Sequence, residues 1–187
     1  GNLMSQTQKE KFLKDLELDF SVSAAGKYRF RANAYYQRGT PAISLRYIPD
    51  AIPMIDSLGL PGICHTFAKL KQGFVLVTGP TGSGKSTTVA SIIGEINATR
   101  TEHIVSIEDP VEFIHQNKMS IVSQRELGGD TLSWDNALKS VLRQDPNVVY
   151  IGEMRDAETM SAAMTVAETG HLVFATLHTN SASQTIE

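Results

Sequence analysis

Phe74-Val75-Leu76-Val77-Thr78-Gly79-Pro80-Thr81-Gly82-Ser83-Gly84-Lys85-Ser86 reads as a short apolar strand that runs into a glycine-rich loop. Beyond it Val89, Ile92, Ile93 and Ile96 recur at helical spacing, so the loop joins a strand to an amphipathic helix. The loop fits the pattern GxxxxGK[ST] in full, and strand, loop and helix in that order are the context that turns the pattern into a phosphate site. Glycine lets the chain bend so that backbone N–H groups and the positive end of the helix face an anion. The predicted cradle is Gly79, Pro80, Thr81, Gly82, Ser83, Gly84, Lys85, Ser86, Thr87 and Thr88. Lys85 is expected at the β- and γ-phosphates of a nucleoside triphosphate, and the Ser86 hydroxyl on Mg²⁺. An ordinary turn ahead of a helix is the bland alternative, and pattern and context together outweigh it.

Three further apolar runs follow, Ile104 to Ile107, Val148 to Ile151 and Leu172 to Leu177, none of them alternating, as expected of strands covered on both faces. Helical patterns separate several of the runs: Leu138, Val141 and Leu142, then Met160, Ala163, Met164 and Ala167. Strand alternating with helix predicts an α/β fold with a mostly parallel sheet. Ligands of such sheets bind outside the carboxyl ends of the strands. Here those ends lead into the glycine-rich loop, Glu108-Asp109, Gly152-Glu153 and His178.

Upstream the rhythm changes. From Phe20 to Ile48 the chain alternates with period two and breaks at Ala24 to Lys27 and Arg38 to Pro41, which predicts an antiparallel meander. Phe12, Leu13 and Leu16 are spaced for a helix packing on it. Three prolines and two carboxylates between Pro49 and Pro61 predict a linker, so residues 1–48 are assigned to a small N-terminal unit, 49–61 to the linker and 62–187 to the α/β domain. A short helix from Ile63 to Leu70 is expected to lead into that domain.

Composition narrows the function classes. Apolar residues at 41% and charged residues at 20% are the balance of a folded globular chain. No apolar run approaches the roughly 20 residues that cross a bilayer, so membrane insertion is not expected and the cytoplasm is. A net charge of −3 gives no global pull toward nucleic acid. Cys64 is the only cysteine, which excludes an internal disulfide and a cysteine zinc site and makes a buried apolar role the expectation. The single Trp134 is expected in the core.

Four groups carry candidate chemistry. Glu153 follows the run VVYI where an acidic group orients or activates the attacking water; the residue before it is Gly152 where a metal-associated aspartate is usual, so the metal must lean on Ser86 and water. Glu108, Asp109 and Glu112 cluster beyond another strand that Pro110 ends, and Glu108 and Glu112 are read as assisting at the metal, with a solvated turn as the alternative. His178 is placed to hydrogen-bond a γ-phosphate, whereas His171 is read as structural. Arg29, Arg31, Arg38 and Arg46 lie in the meander, with Arg29 and Arg31 on one face and Tyr28 and Phe30 on the other. They are candidate arginine fingers or a solvated basic face.

GPTGSGKST at 79–87, IVSIEDPVEF at 104–113, VVYIGEMRD at 148–156 and TGHLVFATLHT at 169–179 together resemble the secretion and pilus ATPase superfamily. Within it HQNKMSIVSQRELGGDT at 115–131, LRQDP at 142–146 and GEMRD look more like pilus retraction ATPases than assembly ATPases. The resemblance implies a RecA-like P-loop ATPase core preceded by part of a small PAS-like α+β domain. It further implies Mg²⁺-dependent ATP hydrolysis by a cytoplasmic homo-hexameric ring at the inner face of the cell membrane, with a pilus platform protein and the pilus machinery as partners. Against the family's extent the chain is expected to be cut at both ends, stopping as a helix begins after Asn180-Ser181. The rivals are an assembly or secretion ATPase of the same superfamily, a nucleic-acid translocase and a nucleotide-binding regulatory module without catalysis.

Overall fold

The computed structural model describes residues 3–25, 28–49 and 51–178; the segment after Asn180 lies outside them. The chain divides after Ala51 into two compact units.

The first unit is a helix on a three-stranded sheet. Helix α1, Gln6–Asp15, starts with a reciprocal cap in which Ser5 and Gln8 satisfy each other's backbone N–H groups. Strands β1 (Glu17–Ala24), β2 (Tyr28–Gln37) and β3 (Thr40–Ile48) form the antiparallel meander in the order β1-β2-β3. The β2–β3 turn is only Arg38-Gly39, both at positive φ, which matches the twist of the strands and brings Pro41 into β3 opposite Tyr36. Phe12, Leu18, Phe20, Ala32 and Ala34 make a core of their own. The expected helix face is narrower than the sequence spacing implies: Phe12 stacks on Tyr36 at 5.1 Å, but Leu13 is exposed and Leu16 has left the helix in a left-handed cap.

In the second unit a 3₁₀ turn at Asp56–Leu58 and helix α2 (Ile63–Lys69) precede β4 (Gly73–Thr78), α3 (Lys85–Thr99), β5 (His103–Glu108), β6 (Ile121–Glu126), α4 (Trp134–Val141), β7 (Val148–Ile151), α5 (Ala157–Glu168) and β8 (Leu172–Leu177). The sheet is parallel in the order β4-β8-β7-β5-β6. Its central strands alternate between two cores: Ile104, Val148, Tyr150, Leu172 and Phe174 pack with α2 and α3, while Val105, Ile107, Val149, Ile151, Val173 and Ala175 pack with α4 and α5. Burial on both faces removes the need for polar alternation. Ile55 is buried in the first of these cores, so the latter part of the proline-rich stretch belongs to this unit.

Five expectations are corrected here. Residues Ile121–Glu126 form an edge strand that the sequence pattern hid, because the half-exposed, largely polar run IVSQRE does not read as a buried strand. Among the described strands β4 is the other edge and only Val75 in it is fully buried. In α5 the inward stripe is Thr159, Ala163 and Val166, and Met164 is exposed. Trp134 is half-buried against the second core and Leu142 leaves α4 for a 3₁₀ turn. Cys64 is buried as expected, and burial raises its thiol pKa.

Candidate nucleotide site

Because β4, β8, β7 and β5 run parallel, their carboxyl ends share one edge, and the first core turns polar as it nears that edge. Along the face that carries Ile104 and Leu172, the sequence continues through Ser106, Glu108 and Thr176. The loop after β4 depends on positive φ at Gly79, Gly82 and Gly84, and a Cβ at Gly79 would lie 2.7 Å from Ser83 Oγ. Gly84 is the N-cap of α3 and offers no side-chain cap, which leaves the first N–H groups of the helix open toward an anion.

Lys85 is buried, and its ammonium donates to the carbonyls of Gly79 at 2.8 Å and Pro80 at 3.0 Å. It also lies 3.4 Å from His178 Nδ1, and the Thr81 hydroxyl lies 3.3 Å from the same nitrogen. On the other side of the ring, His178 Nε2 is 3.2 Å from Glu153 Oε1. A neutral imidazole with its proton on Nε2 satisfies all three contacts, donating to the carboxylate and accepting at Nδ1. Glu153 Oε2 in turn accepts from Arg155 Nε at 3.1 Å and Nη2 at 3.0 Å. The P-loop lysine, His178 and Glu153 thus form one hydrogen-bonded chain across β4, β8 and β7.

The acidic segment divides by burial. Glu108 points inward and is 5% exposed, accepting from the Ser106 hydroxyl at 2.6 Å, Gln124 Nε2 at 3.1 Å and the Glu112 backbone. Burial raises its pKa to about 7, against the pull of those hydrogen bonds. Glu112 is exposed, and Asp109 meets Arg155 at 3.6 Å. Gly152 has a structural reason: a Cβ there would sit 3.2 Å from Glu108 Cα, so any larger residue at the strand end would crowd the Glu108 backbone. Among the described residues no group of three His, Cys, Asp or Glu side chains converges as a metal cage. That donor set, one serine hydroxyl beside scattered carboxylates, fits Mg²⁺, which keeps its waters and takes substrate phosphates, rather than a metal needing a protein cage.

Behind the loop is a cavity of about 10 Å³, room for about one water, lined by Ser86, Ser106, Glu108, His115, Gln124 and Tyr150 among others. His115 Nδ1 is buried without a partner, and burial lowers its pKa to about 4. Sequence reasoning passed over Arg155, Tyr150, Ser106 and Gln124. Arg155 alone carried a signal, two residues beyond the candidate carboxylate. His171 Nδ1 donates to the Val166 carbonyl at 3.0 Å and lies 3.1 Å from Thr169 Oγ1, beside the end of α5 and away from this edge. Asp156 caps α5 through Thr159 N at 2.7 Å, and that hydrogen bond holds its pKa below the usual carboxylate value.

In the first unit Arg31 stands directly opposite Arg46 across β2 and β3, with Arg29 two residues along on the same face and Arg38 in the turn. Like charges so paired repel, and the face is basic.

A parallel α/β unit with this loop at its strand ends is a P-loop nucleotide-binding fold. The model of the type II/IV secretion system protein family matches residues 14–187, and the chain belongs to that family. It is 50% identical to a twitching motility protein of Neisseria gonorrhoeae over all of this chain and 50% of that relative. It is 48% identical to the type IV pilus retraction ATPase PilT of Pseudomonas aeruginosa over all of this chain and 54% of that protein. A crystal structure of the pilus retraction motor PilT with bound ADP superposes with a TM-score of 0.95 at 52% identity, covering 98% of this chain and 54% of that one. The chain spans about half the length of these relatives. Among the described residues no helix is long and apolar enough to cross a membrane.

Proposed function

We propose that the chain is the nucleotide-binding core of a Mg²⁺-dependent ATPase that, as a homo-hexameric ring, drives type IV pilus retraction. The observation that carries the reading is the chain of contacts from Lys85 through His178 to Glu153, which joins a phosphate-binding loop to a candidate water-orienting carboxylate. Nucleotide use is supported by the ADP of the retraction motor that the chain resembles. The direction of the motor is supported by the names of the relatives alone.

In this reading ATP withdraws Lys85 from the Gly79 and Pro80 carbonyls to its own phosphates, while the open N–H groups of α3 and the loop hold the triphosphate. The Ser86 hydroxyl would hold Mg²⁺ together with water and the phosphates, and the ion would supply positive charge to offset that on the phosphate oxygens. Glu112 would assist at the ion, with Glu108 anchoring its turn from behind. Once Lys85 has left, His178 donates an imidazole N–H to the γ-phosphate, which requires a proton at Nδ1 or a turn of the ring, and Glu153 orients the water for attack. Arg29, Arg31, Arg38 or Arg46 of a neighbouring subunit is the proposed donor in trans. The start of the proline-rich stretch, ahead of Ile52, acts as the link between the units, and the ring works against a platform protein at the inner face of the cell membrane.

Phosphate release from Mg-ATP by the protein at its full natural length tests this. Glu153→Gln is expected to keep ATP binding and lower turnover by roughly 10² to 10⁴-fold, the range of a lost general base. Undiminished turnover refutes the role of Glu153.

A further inference from the structure

Glu153 lies in the loop between β7 and α5, on no regular element, so its aim depends on what its side chain touches. Its backbone surroundings are tied: Thr176 Oγ1 donates to the Gly152 carbonyl, and Met154 N donates to Thr176 O at 3.0 Å. Its carboxylate is gripped at both oxygens, Oε1 by His178 and Oε2 by Arg155. These two grips have different fates. His178 also leans on Lys85 and Thr81 of the phosphate loop, so it is released or recruited whenever a phosphate arrives. Among the described residues, the hydrogen bonds and ion pairs of Arg155 go to Glu153 and Asp109, not to that loop. Its fork reaches Glu153 through Nε and Nη2 and Asp109, at the end of neighbouring β5, through Nη2 at 3.6 Å.

We infer that Arg155 is a positioning residue for hydrolysis: anchored on Asp109, its guanidinium fixes one oxygen of Glu153 so that the other is aimed at the attacking water. The inference rests on the role given above to Glu153. A planar guanidinium can bridge two carboxylates in a fixed geometry as lysine cannot. The alternative is a surface ion pair, and it makes a different forecast. With Arg155 56% exposed and Asp109 31%, such a pair contributes little to stability and nothing to rate.

The experiment is a double-mutant cycle in the full-length, ring-forming protein, reading kcat and KM for Mg-ATP, the Kd for a fluorescent ADP, ring assembly and thermal midpoint. Arg155→Gln is expected to lower kcat roughly 10- to 100-fold, the cost of about 1 Å of misplacement, with KM and ADP affinity within about twofold. Asp109→Asn should move kcat in the same direction by less. Glu153→Gln with Arg155→Gln should be no slower than Glu153→Gln alone, because Arg155 acts only through that carboxylate. A wild-type kcat in Arg155→Gln, a double variant slower than Glu153→Gln, or a loss explained by a dissociated ring overturns the inference. If Glu153→Gln turns over normally, it is the reading of Glu153 itself that fails.

Discussion

Glu108 and Gly152 are neighbours whose identities constrain each other. A methyl group at 152 would press on the Glu108 backbone at 3.2 Å, so Gly152→Ala should cost about 1 to 3 kcal/mol by chemical denaturation, through overpacking against a backbone atom. Glu108 itself is buried with its pKa pushed to about 7. In the unfolded chain this carboxyl ionises near its ordinary value; in the folded chain it resists until near neutrality. It therefore costs stability increasingly as pH rises between those two values, and the full cost stands above the folded pKa. Relative to the parent, Glu108→Gln should gain stability on going from about pH 5 to about pH 8, by at most about 3 kcal/mol, read from denaturation curves at both. A difference that stays constant with pH would show that the carboxyl is not held neutral. None of this was legible in IVSIEDPVEF, where three carboxylates look alike. Burial separates them: one faces the core, one faces solvent and one holds an arginine.

At the scale of elements, α3 carries the proposed phosphate site at its N-terminus and holds other parts of the fold along its length. Asn97, buried, donates to Gln116 O at 2.7 Å and accepts from Lys118 N, fixing the loop that leads into β6. Ile52 reaches to within 3.4 Å of the place a Cβ would take at Gly94. Beside it His65 of α2 binds Glu95 of α3 through Nδ1 at 2.7 Å and Asp56 of the 3₁₀ turn through Nε2 at 3.0 Å. Both nitrogens face carboxylates, so only the imidazolium donates to both, and these hydrogen bonds raise the His65 pKa. Lys118 and His115 line the same groove, about 260 Å³ in volume, and His115 is kept neutral by burial. Because the folded pKa is raised, the clasp is complete below the ordinary histidine value and is lost as pH rises through the raised one. An NMR titration should find His65 ionising above about 6.5, and Glu95→Gln should bring it down toward that value. A His65 that titrates at the ordinary value in both proteins would dissolve the clasp. The aliphatic spacing of α3 was plain in the sequence, whereas the edge strand β6 and this clasp were not, since partial exposure blurs the first and contact between distant residues makes the second.

Over the whole molecule, the two units keep separate cores. Phe12→Ala removes the ring stacked on Tyr36 and should destabilise the small unit by about 3 to 5 kcal/mol, while hydrogen exchange in α3 and affinity for ADP stay unchanged. A matching loss of protection in α3 would show that the two units fold as one. The sequence by itself determined the glycine-rich loop between strand and helix, the class of sheet, the meander and the family, because these are written in local periodicity and in glycines whose backbone conformation no other residue adopts easily. The tertiary structure alone decided which acidic group lies inward, why residue 152 is glycine, and that Lys85, His178, Glu153 and Arg155 form one connected path. Those contacts join residues as many as 93 positions apart, and side-chain direction and burial arise only when parallel strands bring their ends to a common edge.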